Sequence, residues 1–153
     1  MKNISIFIVA MATPLLLSFI SKTKEKQNET SAYTIANPFP QSNELQNSIK
    51  RGRVLYDEFC IQCHGADGKG MERVFPPLDG ADWLVEKRTE SIHAVKYGQS
   101  GEIVVNGVTY NNVMPPMGLT DKEVADVMNY VMNSWSNTQE KMVTVEEVKA
   151  IEP

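Results

Sequence analysis

The sequence predicts a mainly α-helical domain carrying one small β-hairpin. Three observations predict it. Apolar residues recur at helical spacing from Leu45 to Phe59, and again from Val124 to Trp135 behind a capping box at Thr120. Between them, two β-branched triplets flank Asn106-Gly107, the strongest short-range hairpin signal.

The first helix is expected over Asn43 to Phe59, with Leu45, Ile49, Leu55, Tyr56 and Phe59 on roughly one side. Ser42 or Asn43 can cap its start, with Gln46 in support. Gly52 in its middle costs about 1 kcal/mol against alanine, so it calls for a compensating reason such as close approach of another helix. From Gly65 to Gly80 the chain is a loop, because Gly65, Gly68, Gly70 and the pair Pro76-Pro77 forbid regular structure. Thr89 to Tyr97 is a short helix that Gly98 ends. Ile103-Val104-Val105 and Val108-Thr109-Tyr110 are the hairpin strands.

Thr120-x-x-Glu123 opens a helix running to about Trp135, with Val124, Val127, Met128, Val131, Met132 and Trp135 at spacings of three and four. A second box, Thr144-x-x-Glu147, opens a short final helix through Val148 and Ile151. No internal repeat is visible.

At 153 residues the chain accommodates one domain with a targeting segment and a linker. Hydrophobic residues make up 42% and aromatics only 8%, a lean supply for a core that a large buried cofactor would complete. Residues 1–21 read as an export signal or a retained N-terminal anchor: Lys2 supplies the positive start, and Ile4 to Ile20 is mostly apolar. The run is too broken for a clean membrane span, and its one Ala-x-Ala, at Ala10 to Ala12, falls too early for cleavage. Cleavage after Ser18 or Ser21, or retention as a tether through residues 4–20, are the two outcomes, and both place the domain outside the cytoplasm, in the periplasm.

Residues 22–42 are polar and aperiodic, a flexible linker. The domain proper is expected over 43–136, with residues 137–153 as a C-terminal extension. From 43 onward there are 11 Lys/Arg against 17 Asp/Glu, which argues against nucleic acid and anionic membrane surfaces as partners.

Both cysteines of the chain fall in Cys60-Ile61-Gln62-Cys63-His64. This C-x-x-C-H string is the attachment site of a c-type haem. Two thiols one helical turn apart add across the two vinyl groups of one porphyrin, and the next residue places its imidazole beneath the iron. The competing readings explain less. A thioredoxin-like dithiol wants a preceding strand and a βαβ unit, whereas the segment ahead of Cys60 is helical. A zinc site would need Cys60, Cys63, His64 and the distant His93 together.

The sixth iron ligand decides the chemistry. Met114-Pro115-Pro116-Met117-Gly118 lies 50 residues past His64, and the prolines stiffen a loop able to hold one sulfur at the iron. Met114 or Met117 can supply the thioether, whereas Met128 and Met132 sit on an apolar helical face as core. A His/Met pair raises the reduction potential and leaves no open position for substrate or oxygen.

Residues 43 to 136 resemble class I cytochrome c, in particular bacterial single-haem modules associated with respiratory enzymes. The resemblance is carried by Gly52 with Tyr56, by Phe75-Pro76-Pro77-Leu78-Asp79-Gly80, and by Gly107-Val108-Thr109-Tyr110-Asn111-Asn112-Val113-Met114-Pro115. It implies the cytochrome c fold, helices wrapped around one haem bound covalently through Cys60 and Cys63, with a hairpin before the axial methionine loop. It implies that Gly52 and Tyr56 meet Val127 and Tyr130. It implies that the Pro76 carbonyl accepts a hydrogen bond from His64, and that the methionine of Met-Pro, Met114, is the axial partner of His64. Unlike many mitochondrial-type relatives, this acidic domain has no ring of lysines, so their partner rules do not transfer.

His93 reads as a surface or packing histidine, though a second haem ligand is conceivable. Trp83, Tyr110 and Trp135 read as core, with Tyr110 the best placed of the three to donate to a haem propionate. The expected function is a non-enzymatic, monomeric electron carrier between a quinol-oxidising complex and a terminal oxidase or reductase. The alternatives are a fixed subunit of a dehydrogenase or nitrite reductase, and a haem sensor or enzyme with an open sixth position.

Overall fold

The helices expected around Gly52 and behind Thr120 pack against each other, but of the apolar residues read along the first only Tyr56 is fully buried; Leu45, Ile49 and Leu55 are half-buried and Phe59 is exposed. A computed structural model describes residues 40–139 and 141–153; the expected export segment and nearly all of the linker lie outside them. The first helix, α1, spans Pro40–Phe59. It begins three residues ahead of the expected start, at a proline, whose missing N–H costs nothing in the first turn. Helix α5, Asp121–Val131, crosses it at Gly52, where an added β-carbon would stand 2.8 Å from the β-carbon of Tyr130. Tyr56 is wholly buried one turn further on, its ring tilted against Tyr130 at 5.3 Å.

A polar knot fastens the crossing. The buried Asp126 carboxylate accepts from Ser48 Oγ at 2.6 Å, from Arg51 Nε and Nη2 at 2.7 Å each, and from Lys122 Nζ at 2.6 Å. Two long cations and a hydroxyl thus satisfy a charge that burial alone would penalise.

Helix α2 is the single turn Ile61–His64, and a long loop follows it. Helix α3, Asp82–Glu86, was not legible in the sequence, because five residues are too few to show a helical period. Its start is locked to the hairpin: Asp82 N donates to Asn106 Oδ1 and Asn106 N to Asp82 Oδ1. Helix α4, Arg88–Tyr97, ends at Gly98, whose φ of 91° only glycine adopts freely. Strands β1, Ile103–Val105, and β2, Val108–Tyr110, pair antiparallel with Ile103 opposite Tyr110. Asn106 and Gly107 both have positive φ, as a two-residue type I′ turn requires.

The capping box at Thr120 is complete, but α5 stops at Val131, short of the expected Trp135. Ser134 Oγ and Asn133 Nδ2 donate to the carbonyls of Tyr130 and Asn129, ending the helical ladder. Trp135 then turns left-handed, with φ 56°. The chain returns through helix α6, Val145–Lys149. Val143 and Val148 are wholly buried, and Asn129 of α5 pairs with the Val143 backbone in both directions. The second capping box is half made. Thr144 Oγ1 accepts from Glu147 N, but the Glu147 carboxylate turns to Arg88 in a two-pronged pair at 2.7 and 2.9 Å.

Candidate functional site

One apolar cleft opens between the long loop, α3, α4, the hairpin and α5, with about 1270 Å³ of open space that joins solvent at its mouth. Leu78, Leu84, Val95, Val105, Val127 and Met128 are among its walls, and among the described residues no Asp, Glu, Lys or Arg side chain lines it. Cys60, Cys63, His64, Pro76, Tyr110 and Met114 all line this same cleft.

His64 ends α2 and is 8% exposed. Its Nδ1 lies 3.0 Å from the Pro76 carbonyl. A carbonyl only accepts, so Nδ1 carries the proton and Nε2 keeps its lone pair. Burial lowers the pKa of the ring, with the Pro76 bond pulling the other way, so the imidazole is neutral at pH 7. A neutral ring oriented through its second nitrogen is what a metal-ligating histidine needs.

The two cysteines stand one turn apart at the start of α2, Cys60 being its N-cap residue. Burial, with Cys63 beside it, pushes the Cys60 thiol up to about 11. A thiol–disulfide catalyst works instead through a thiol shifted downwards. The zinc reading finds no support in the fold either. His93 does not line the cleft, and its ring packs 5.3 Å from Tyr97. Among the described residues no three His, Cys, Asp or Glu side chains gather in a metal-binding cluster.

Both methionines of the Met-Pro-Pro-Met segment reach the cleft. They differ in how the backbone is held. Met114 N donates to the Gln99 carbonyl at 2.8 Å, and Gln99 N donates back to the Met114 carbonyl at 2.9 Å. Gly98 makes this close approach possible: a β-carbon there would lie 2.8 Å from the Met114 carbonyl oxygen. Among the described residues Met117 has no such bridge. Gln99 is therefore a site residue that sequence reasoning missed, since a lone glutamine between helix and hairpin carries no periodic or motif signal.

Tyr110, 5% exposed, and Trp83 also line the cleft. Trp135 does not; its indole packs edge-on against Tyr56 and Tyr130, and its Nε1 donates to the Ala66 carbonyl at 3.0 Å. The donor set fits a haem c. One apolar cleft brings together two thiols at one-turn spacing, an oriented neutral imidazole and a thioether, with walls that shield a flat hydrophobic body from water.

Comparisons with known proteins agree with this arrangement. The family model described as Cytochrome c matches residues 49–135. The chain is 37% identical over 109 residues to cytochrome c-552 of Thermus thermophilus, covering 65% of this chain and 82% of that protein. It is 32% identical over 127 residues to the gluconate 2-dehydrogenase cytochrome c subunit of Pantoea cypripedii, covering 74% of this chain but 28% of that subunit. A Cbb3-type cytochrome c oxidase subunit of Rubrivivax gelatinosus is 34% identical over 85 residues, covering 54% of this chain and 24% of the subunit.

Proposed function

The chain belongs to the cytochrome c family, carriers of covalently bound haem c, and from that premise we propose that it relays single electrons between exported redox proteins with His64 and Met114 as iron ligands. The observation that carries the reading is the meeting of Cys60, Cys63, His64 and Met114 in one cleft that, among the described residues, no charged side chain lines. When bound, haem c supplies an iron that changes valence by one electron.

The chain's own residues do the rest. Cys60 and Cys63 would hold the cofactor on α2 through thioethers. His64 offers Nε2 while the Pro76 carbonyl holds its other nitrogen. The Met114 sulfur, soft and neutral, would serve as the second protein ligand to the iron and favour its reduced state. The apolar walls keep water out, and Tyr110 is the cleft hydroxyl best suited to meet a propionate. With both protein ligands in place the cleft would leave no room at the iron for a substrate, as suits a carrier.

The apolar segment at residues 4–20 supports export, as a cleaved signal or as an anchor. If it is retained, the linker of about 20 residues gives a reach on the order of 25 Å between docking sites. The Pantoea and Rubrivivax relatives are subunits of a dehydrogenase and an oxidase, which supports redox enzymes of these kinds as donors and acceptors. The same relatives favour one second reading, a subunit fixed to a single enzyme. Copurification through high salt distinguishes that reading from a salt-sensitive transient contact.

Expression alongside haem-attachment machinery tests the main reading. A mass raised by one haem, sharp low-spin optical bands, the weak far-red ferric band of methionine ligation and no response to carbon monoxide are expected. A bare polypeptide mass, or ready carbon monoxide binding, overturns it.

A further inference from the structure

The tripeptide Trp135-Ser136-Asn137 sits outside the cleft, yet it grips both limbs of the loop that orients His64. On the limb next to the attachment motif, Trp135 Nε1 donates to Ala66 O at 3.0 Å. Its indole lies so close over Gly68 that a β-carbon there would stand 2.7 Å from the ring. On the returning limb, the Asp79 carboxylate accepts from Ser136 N at 3.0 Å and from Ser136 Oγ. Asn137 takes the two residues on either side, its Nδ2 donating to Leu78 O at 2.8 Å and its Oδ1 accepting from Gly80 N at 2.9 Å. The limbs are sewn to each other as well, since Leu78 N and Asp79 N both donate to Gly68 O. Pro76, whose carbonyl takes the His64 Nδ1 proton, lies two residues ahead of this stitched segment.

The grip has a conformational cost. Trp135 is a bulky residue with φ 56°, a left-handed backbone that large side chains rarely adopt. Strain of this kind persists only where surrounding contacts hold it. Here they are the Tyr56 and Tyr130 rings on one side of the indole and the Ala66 carbonyl on the other.

We propose that Trp135, Ser136 and Asn137 form a clasp of positioning residues that holds the Pro76 carbonyl against His64 and thereby sets the donor strength of this ligand. This rests on the haem reading above. A firm Nδ1–H···O=C bond makes the imidazole a stronger donor, which stabilises ferric iron. Loosening the clasp lengthens that bond, weakens the donor and raises the reduction potential. The clasp therefore opposes the upward pull of Met114, and the operating potential is a balance between the two.

The test uses the haem-loaded full chain with Trp135→Phe, which keeps an aromatic ring but loses the N–H, and Asn137→Ala, which releases Leu78 and Gly80. The control is Val148→Ala, a destabilising change in the tail core. Expected for both clasp variants is a positive shift equivalent to about a threefold change in the redox equilibrium, or about 30 mV at 59 mV per tenfold for one electron. Faster solvent exchange of the His64 Nδ1 proton, followed by NMR, should accompany it. Val148→Ala should lower the melting temperature and leave both readouts unchanged.

If the clasp variants shift only the melting temperature, as the control does, the clasp is structural and the proposal is wrong. Should Trp135→Phe fail to load haem, Asn137→Ala decides alone. A wild-type chain that takes up no haem is the separate failure of the underlying reading, visible before any variant is made.

Discussion

Gly52 lies directly against the backbone of Asp126: a β-carbon at position 52 would stand 1.9 Å from the Asp126 carbonyl oxygen and 2.6 Å from its carbon. Backbone cannot swing aside as a flexible side chain can. Gly52→Ala therefore has to part α1 from α5, and the helix-propensity gain of about 1 kcal/mol does not offset that. We expect a net loss of about 2–3 kcal/mol in denaturant unfolding of the haem-loaded protein. An unchanged or higher midpoint would show that the two helices do not need this approach.

The methionines give a paired prediction. Met114→Ala should lower the reduction potential and open the iron to carbon monoxide, while Met117→Ala should do little. The difference follows from the Gln99 bridge, which positions the backbone of one and not of the other. Difference spectra of the reduced variants under carbon monoxide decide it, and reversed outcomes would move the ligand to Met117.

Asp126 and Glu147 predict how stability responds to acid. Burial resists the charged form of Asp126, but hydrogen bonds from Arg51, Lys122 and Ser48 outweigh it and hold its pKa below the ordinary carboxylate value. The two-pronged bond from Arg88 does the same for Glu147. A group with a depressed folded-state pKa contributes its stability above the unfolded value and loses it as pH falls through the folded one. The melting temperature should thus be level from pH 7 to about 5 and fall below about 4. Asp126→Asn should flatten that fall. Parallel acid limbs for variant and wild type would remove Asp126 from the account.

The tail offers a fourth test. Val148 is wholly buried, so Val148→Ala leaves a small cavity and should destabilise by about 2 kcal/mol in thermal or chemical unfolding. A change below about 0.5 kcal/mol would mean that the tail adds nothing to the stability of the domain.

What the sequence disclosed were features with local rules. Thr120 and Glu123 are three residues apart, Asn106 and Gly107 are adjacent, and the cysteines and histidine occupy five consecutive positions, so each pattern is complete within one turn of chain. Features depending on remote partners were not disclosed. The apolar period running on to Trp135 concealed the end of α5, because Trp135 is apolar but spends its ring outside the helix, its Nε1 donating to Ala66, 69 residues away. The half-made cap at Thr144 has the same origin, since Arg88, 59 residues from Glu147, takes the carboxylate the box would use. Gln99 and the clasp tripeptide belong to this second class. Their roles rest on contacts remote in sequence, many of them with backbone groups that carry no residue-specific signature.

The link between Gln99 and Met114 is made entirely of main-chain groups. Substituting a side chain cannot delete it, and only a proline at either position would remove a donor. Gly98 guards the approach, and the neighbouring Asn111, Asn112 and Val113 are exposed. The consequence is a separation of heredity. Exposed side chains beside the methionine arm can vary without touching that link, which only a side chain at Gly98 or a proline at position 99 or 114 would disturb. A lineage can acquire a new customer for its electrons without rebuilding the centre that holds them.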